Sequence, residues 1–336
     1  MIGIKKEKFS PLNDISPINF PNQVKLFLKY IDIIPILIKR IPIKIKDFPM
    51  FILKFTNNIK YLMIPFTSIS QDIKKRCHFF HANGYPPEAY TSFLNIISDS
   101  YNIQSMLLRQ FWNNSPSASE VKNWDILLDD LTQYAKENSI HNENGIGHSI
   151  GGNLLLRSCL KNRSLYEKIV LLDPTIFSPT IIYIWKILYY FKAHPLIKKA
   201  KNRRKIFNNF EEIFNSYRSK NIFSKIEDEQ LNEYIYSIFK KAGDQVELSY
   251  DSAWEEIMYL TAGIKDFDIW NNLHNLQTPT LIIIPEESPV LRYCASKKIL
   301  KNKFINIEIL KKSTHLFPLE KPAKTAQIIL DFFLNN

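Results

Sequence analysis

The sequence predicts an α/β architecture: a mostly parallel central sheet with helices on both faces and a helical insertion late in the chain. Three observations carry this. From about residue 59, short apolar runs alternate with longer amphipathic segments. Runs of this kind read as strands buried on both faces when helices separate them. Between 178 and 275 the alternation stops and helical periodicity takes over. Finally, the chain has only eight glycines, and four of them stand together at Gly145, Gly147, Gly151 and Gly152. Average usage would supply roughly 23 in a chain of this length, so glycines concentrated at one place mark a backbone geometry that other residues do not tolerate.

The strands are expected at 59–66, 76–81, 103–108, 143–148, 168–172, 280–284 and 305–310, and the core helices at 88–99, 120–138, 150–161, 292–301 and 322–334. Alternation of this sort makes an α/β sheet covered on both faces. Four further helices are expected at 180–192, 195–220, 228–240 and 252–262, in a stretch rich in aromatic and basic residues with almost no strand signal. The resulting division is an N-terminal arm at 1–58, a core at 59–177 and 276–336, and a helical lid at 178–275.

The arm is apolar between residues 24 and 56 but interrupted by Lys, Arg, Asp or Pro every few residues. It lacks the roughly 18 consecutive apolar residues of a spanning helix. Its composition suits an irregular segment packed on the domain, or peripheral contact with an anionic membrane. No signal peptide is visible, because the lysines near Met1 are not followed by an unbroken apolar run.

The chain carries 44 basic and 33 acidic side chains, a net charge of +11. Nucleic acid is not the expected partner. Isoleucine makes up about one residue in seven and Lys and Asn are abundant, a skew that reads as compositional drift rather than a binding surface. No zinc-finger spacing, aromatic RNA-binding signature or basic recognition helix accompanies it. The three cysteines, Cys77, Cys159 and Cys294, are odd in number and far apart. They suit a reducing, cytoplasmic compartment and no cysteine-based metal site.

Three segments carry chemistry. The first is Gly147-His148-Ser149-Ile150-Gly151, followed by Gly152, between an apolar strand end and a helix. This G-x-S-x-G pattern makes a strained strand–turn–helix elbow that presents a serine hydroxyl at the sheet's carboxyl edge. Ser149 is therefore the candidate nucleophile. The second is His81-Ala82-Asn83-Gly84-Tyr85-Pro86 after another strand. A loop at that place supplies one backbone donor of an oxyanion hole, here the amide of Tyr85, with the amide of Ile150 as its partner. The third is Thr314-His315-Leu316-Phe317-Pro318, between the last strand and the last helix, where His315 can act as general base. Arg109 and Trp112 follow a strand end and fit an ion pair or packing role better than a substrate contact.

Together these segments resemble the α/β-hydrolase superfamily over about residues 59–334, with the serine first and the histidine last in chain order. More narrowly, the HANGYP loop, the GHSIGG elbow, the LLDPTIFSP segment and the helical lid look like a bacterial branch of α/β hydrolases related to esterases. The resemblance implies serine hydrolase chemistry without cofactor or metal, and it does not imply a substrate. The aromatic and aliphatic lid points to a small acyl substrate with an apolar moiety. Ester or thioester hydrolysis leads. Carbon–carbon hydrolysis, acyl transfer on the same residues and a non-catalytic binding role are the alternatives. The acid departs from the superfamily's common G-x-x-D after the penultimate strand, since the segment reads Pro285-Glu286-Glu287-Ser288. Either Glu286 or Glu287 serves, or the acid sits at the end of an earlier strand, where Leu172-Asp173-Pro174 offers Asp173. The choice falls on Asp173, with Glu286 and Glu287 as the alternative acids.

Overall fold

The computed structural model describes residues 63–69, 74–190, 203–287, 299 and 301–334. The arm at 1–58, with its 24–56 segment, lies outside the described residues. So do the start of the first expected strand, the start of the 195–220 helix, nearly all of the 292–301 helix, Ser288 and Cys294.

The core elements run in the order β1 (Phe66–Ser68), β2 (Arg76–Phe80), α1 (Thr91–Ser98), β3 (Asn102–Met106), α2 (Asp125–Glu137), β4 (Glu143–His148), α3 (Ile150–Lys161) and β5 (Tyr166–Leu172). The insertion follows, with α4 (Pro179–Tyr190), β6 (Ile206–Phe207), α5 (Phe210–Arg218), α6 (Asp228–Ile238), β7 (Phe239–Ala242), β8 (Gln245–Leu248), α7 (Ala253–Thr261) and α8 (Phe267–Asn272). The core closes with β9 (Thr280–Pro285), β10 (Ile305–Leu310), α9 (Phe317–Glu320) and α10 (Pro322–Leu334).

The main sheet has the order β1-β3-β2-β4-β5-β9-β10. Its pairings are parallel except for β1 on β3, which is antiparallel. Because side chains alternate across a strand, β5 sends Ile169 and Leu171 to one apolar cluster and Val170 and Leu172 to the other. β9 divides Ile282 and Ile284 from Leu281 and Ile283 in the same way. Helices α2 and α3 cover the first face, through Leu127, Leu131, Leu154 and Leu155. Helices α1 and α10 cover the second, through Phe93, Leu94, Ile329 and Phe333. Both faces are thus sealed, and the loops at the carboxyl ends of the strands are left to build a site.

Two expectations are corrected. Of the first strand expected at 59–66, the described residues 63–65 are not strand, and the described strand runs over Phe66–Ser68. Pro65 has no N–H to give to a ladder, so pairing with β3 starts one residue later, at Phe66 opposite Met106. The insertion is also not all-helical. Strands β6, β8 and β7 form a small antiparallel sheet. The expected helix at 228–240 ends at Ile238, and the chain enters β7 at once. Gly243 and Asp244 make the two-residue turn into β8, with Gly243 at φ +60°, as a tight hairpin requires.

The clustered glycines earn their place by close approach. A Cβ at Gly151 would lie 2.0 Å from the carbonyl oxygen of Phe80, and one at Gly147 would lie 2.6 Å from the carbonyl oxygen of Gly151. Helix α3 therefore begins in direct contact with the ends of β2 and β4. Gly151→Ala should cost more than about 3 kcal/mol, since two backbones must separate. Gly243→Ala, with nothing within 4 Å of its Cβ position, should cost only the left-handed conformation, about 1–2 kcal/mol. Urea denaturation of the two variants checks the ranking, and equal losses would contradict the packing account.

Candidate active site

Ser149 sits between β4 and α3 with φ +55° and ψ −116°. A non-glycine residue held there stores backbone strain, a feature concentrated at functional turns. The turn is clamped from both sides of the chain. Ser149 N–H donates to the Leu172 carbonyl at 3.0 Å, and the Ser149 carbonyl accepts from Thr175 N–H at 3.0 Å. Ile150 opens α3, so its N–H is one of the first-turn donors that no intrahelical carbonyl can satisfy.

Asp173 stands one residue past β5, fully buried, with φ +37°. Its amide donates to the Ile283 carbonyl of β9 at 2.8 Å. Its Oδ2 accepts from His315 Nδ1 at 2.6 Å, across 142 positions of sequence. A carboxylate can only accept here, so Nδ1 carries the proton of this bond, and Nε2 is the ring nitrogen turned away from Asp173. The loop that carries His315 is itself braced. Thr314 N–H donates to Glu320 Oε2 at 2.9 Å, Thr314 Oγ1–H donates to Glu320 Oε1, and Phe317 N–H donates to the Thr314 carbonyl at 3.1 Å.

The two alternative acids are placed elsewhere. The ladder between β9 and β10 continues past Pro285, with Glu286 N–H on the Leu310 carbonyl and Glu287 N–H on the Ser313 carbonyl. Glu286 Oε2 accepts from Lys312 N–H at 2.9 Å, and Glu287 pairs with Lys225. Glu286 thus holds the approach to the loop of His315, Glu287 is tied to the insertion, and neither carboxylate is on His315.

Thr175 was not singled out by sequence. Its Oγ1 lies 3.0 Å from Ser149 Oγ, so one loop, Asp173-Pro174-Thr175, touches both His315 and Ser149. No periodic pattern marks such a contact. Its position directly after a strand-end Asp-Pro was the available signal. Behind it, Asn153 Nδ2 donates to the Thr175 carbonyl and to Asp266 Oδ1, both at 2.8 Å. Burial pushes the Asp266 carboxyl up to about 6.

On the second loop, Gly84 takes φ +75°. Tyr85 N–H donates to the Ala82 carbonyl at 3.2 Å, so this amide closes a turn here. Its ring stacks on Tyr234 of α6, 4.4 Å between centroids. Glu255 Oε1 and Tyr250 Oη from the insertion approach the Cβ position of Gly84 to 3.1 Å each. They belong to a buried cluster in which Arg203 donates to Glu255, Tyr250 and Tyr217. The insertion thus braces the loop that begins at His81. Arg109 makes a two-point ion pair with Asp130 at 2.6 and 2.7 Å and lies over the Trp112 ring, which is the structural role expected of it. Among the described residues, no group of three His, Cys, Asp or Glu side chains is arranged to hold a metal ion. No described helix is long and apolar enough to cross a membrane.

His81 is fully buried. Its Nε2 accepts from Leu108 N–H at 3.1 Å, so its Nδ1–H donates to the Ala82 carbonyl at 2.9 Å. Both bonds need the neutral ring, and burial holds its pKa down at about 4. A group depressed in the folded state stabilises the fold above its unfolded pKa, near 6.5, and loses that contribution as pH falls towards 4. The urea midpoint should therefore drop as pH is lowered from 7 to about 4.5, and His81→Gln should flatten that slope. An unchanged slope in the variant would contradict the assignment.

No family model matches the sequence, and no match is found among curated proteins. Solved structures do match. An α/β hydrolase from Novosphingobium aromaticivorans superposes with a TM-score of 0.62 at 15% identity, covering 80% of this chain and 92% of its own. E-2-(acetamidomethylene)succinate hydrolase gives 0.62 at 14% identity, with 77% and 91% covered. The thioesterase domain from the curacin biosynthetic pathway gives 0.60 at 14%, with 79% and 94% covered. Identities this low speak to architecture alone. Taken with the sheet order and the strained serine turn, they establish that this chain has the α/β-hydrolase fold.

Proposed function

We propose that the protein is a serine hydrolase that cleaves an ester, thioester or similar acyl compound through a covalent acyl-enzyme. Its catalytic residues are Ser149, His315 and Asp173. The observation that carries this reading is the 2.6 Å bond from His315 Nδ1 to Asp173 Oδ2, formed by a loop whose next residues also touch Ser149. Related hydrolases, a thioesterase and carboxylesterases among structures of the same fold agree with it.

In the reaction, the Ser149 hydroxyl turns from Thr175 to His315 and gives its proton to Nε2 as Oγ bonds to the acyl carbon. Asp173 holds the ring's orientation and stabilises the imidazolium that forms. The oxyanion takes its hydrogen bonds from the Ile150 amide, which has no partner within its helix, and from the Tyr85 amide once it is released from Ala82. The leaving group departs with the proton from Nε2. Water, deprotonated by the same nitrogen, then attacks the acyl carbon, and Ser149 regains its hydroxyl. No cofactor takes part in these steps. The substrate is a small molecule with an apolar moiety, in keeping with the aromatic and aliphatic composition of the insertion.

Ser149→Ala should fold normally and lose hydrolysis of p-nitrophenyl esters by several orders of magnitude, on the order of 10⁶ if the three residues act as a unit. Activity within tenfold of the parent would end the proposal. Asp173→Asn should lose about 10³–10⁴ in kcat near neutral pH. The double change Glu286→Gln, Glu287→Gln should lose far less, and the reverse ranking would move the acid to the penultimate strand.

A further inference from the structure

His148 lies inside the elbow, one residue before Ser149, and its ring is fully buried. Its two nitrogens are both spent, and their partners are telling. Nε2 lies 2.9 Å from the backbone carbonyl of His315, 167 positions away. A carbonyl only accepts, so Nε2 carries the proton. Nδ1 must then accept, and it does so from the Tyr90 hydroxyl at 2.7 Å. The Tyr90 oxygen is reached in turn by Ala82 N–H at 3.4 Å. The bonds run in one sense, from Ala82 N–H to Tyr90, from Tyr90 O–H to His148, and from His148 N–H to His315.

From this chain we infer that His148 and Tyr90 are positioning residues for the base: they fix the His315 backbone to the elbow and to the loop that carries Tyr85. The inference rests on the assignment of Ser149 and His315 as nucleophile and base. An apolar side chain of similar size would fill the same space without the cost of burying an imidazole. What it could not do is reach from the nucleophile's own turn to the carbonyl of the base. The rings of His148 and His315 lie 4.9 Å apart at 37°, and Phe317 closes the far side at 6.3 Å. Burial, reinforced by the neighbouring His315, holds His148 neutral, with its pKa well below the ordinary range. The neutral ring is the form that both bonds require, so the link persists while His315 gains and loses its proton.

The His315 side chain is held through Nδ1, by its bond to Asp173 Oδ2. The His148 bond holds its main chain. Removing it leaves the imidazole attached to Asp173 but free to tilt, and small misplacements of a reacting group cost about 100-fold in rate. The loss should fall on kcat, since neither His148 nor Tyr90 is needed to bind substrate.

The test compares His148→Phe, His148→Gln and Tyr90→Phe with Ser149→Ala, using p-nitrophenyl butyrate, with thermal unfolding to check folding. His148→Phe keeps a ring but has no donor, and should lose roughly 100-fold in kcat with KM changed less than about threefold. His148→Gln returns an amide N–H at similar reach and should recover to within roughly tenfold of the parent. Tyr90→Phe should lose roughly tenfold. A folded His148→Phe with kcat within about threefold of the parent, while Ser149→Ala is inactive, would overturn the inference and leave the hydrolase reading standing. If Ser149→Ala keeps its activity, the hydrolase reading itself falls. Should His148→Phe fail to fold, Tyr90→Phe decides: parental kcat refutes the link, and the tenfold loss at constant KM supports it.

Discussion

The packing of helix α3 against the strand ends is the constraint on which the rest of the site depends. With Gly151 seated on the Phe80 carbonyl and Gly147 under Gly151, the chain has one residue in which to leave β4 and enter the helix. That residue is Ser149, and its positive φ is the consequence. The cost of the strained turn is offset by the apolar contacts of α3, whose Leu154, Leu155 and Leu156 are buried almost completely. Burial of this size is worth about 1.5–3 kcal/mol per side chain, against about 1–3 kcal/mol for the strain. The serine is therefore held at the sheet edge by packing together with its backbone bonds to Leu172 and Thr175.

The neighbouring strand ends are fastened to this turn in sequence. Ser149 N–H bonds the end of β5, Asp173 N–H bonds β9, and Glu286 N–H bonds β10. Each strand's last amide is satisfied by the next strand over, so the loops at this edge share one frame. That frame puts the carboxylate bonded to His315 just after β5. Asp173 leaves the sheet beside Ser149 with its backbone in a left-handed turn, and the base loop descends from β10 to meet it. After β9 the chain keeps running alongside β10, which carries Glu286 and Glu287 to Lys312 and Lys225 instead.

Much of this was legible in the sequence, for reasons that differ by element. The buried strands were visible because two covered faces demand unbroken apolar runs, as in Thr280–Pro285. The elbow was visible because glycine is scarce in this chain and the turn cannot use anything else. The acid stayed open between Asp173 and the two glutamates, because which strand end faces the base is a matter of sheet order and not of local pattern. The small sheet of the insertion was missed for another reason. Its strands FKKA and QVEL are short and half polar, and their real signal was Gly243-Asp244 between them, a two-residue hairpin turn. Thr175 and the far partner of His148 were invisible, since hydrogen bonds spanning 26 and 167 positions leave no periodicity behind.

The central claim is that Ser149 is an activated nucleophile whose base is oriented by Asp173. The rate at which a fluorophosphonate modifies Ser149, followed by intact mass and located by peptide mapping, measures that activation with no need to know the substrate. The account predicts a single adduct on the peptide containing Ser149, formed rapidly in the parent chain and much more slowly in Asp173→Asn. An unlabelled parent, or a variant that labels at the parental rate, would contradict it.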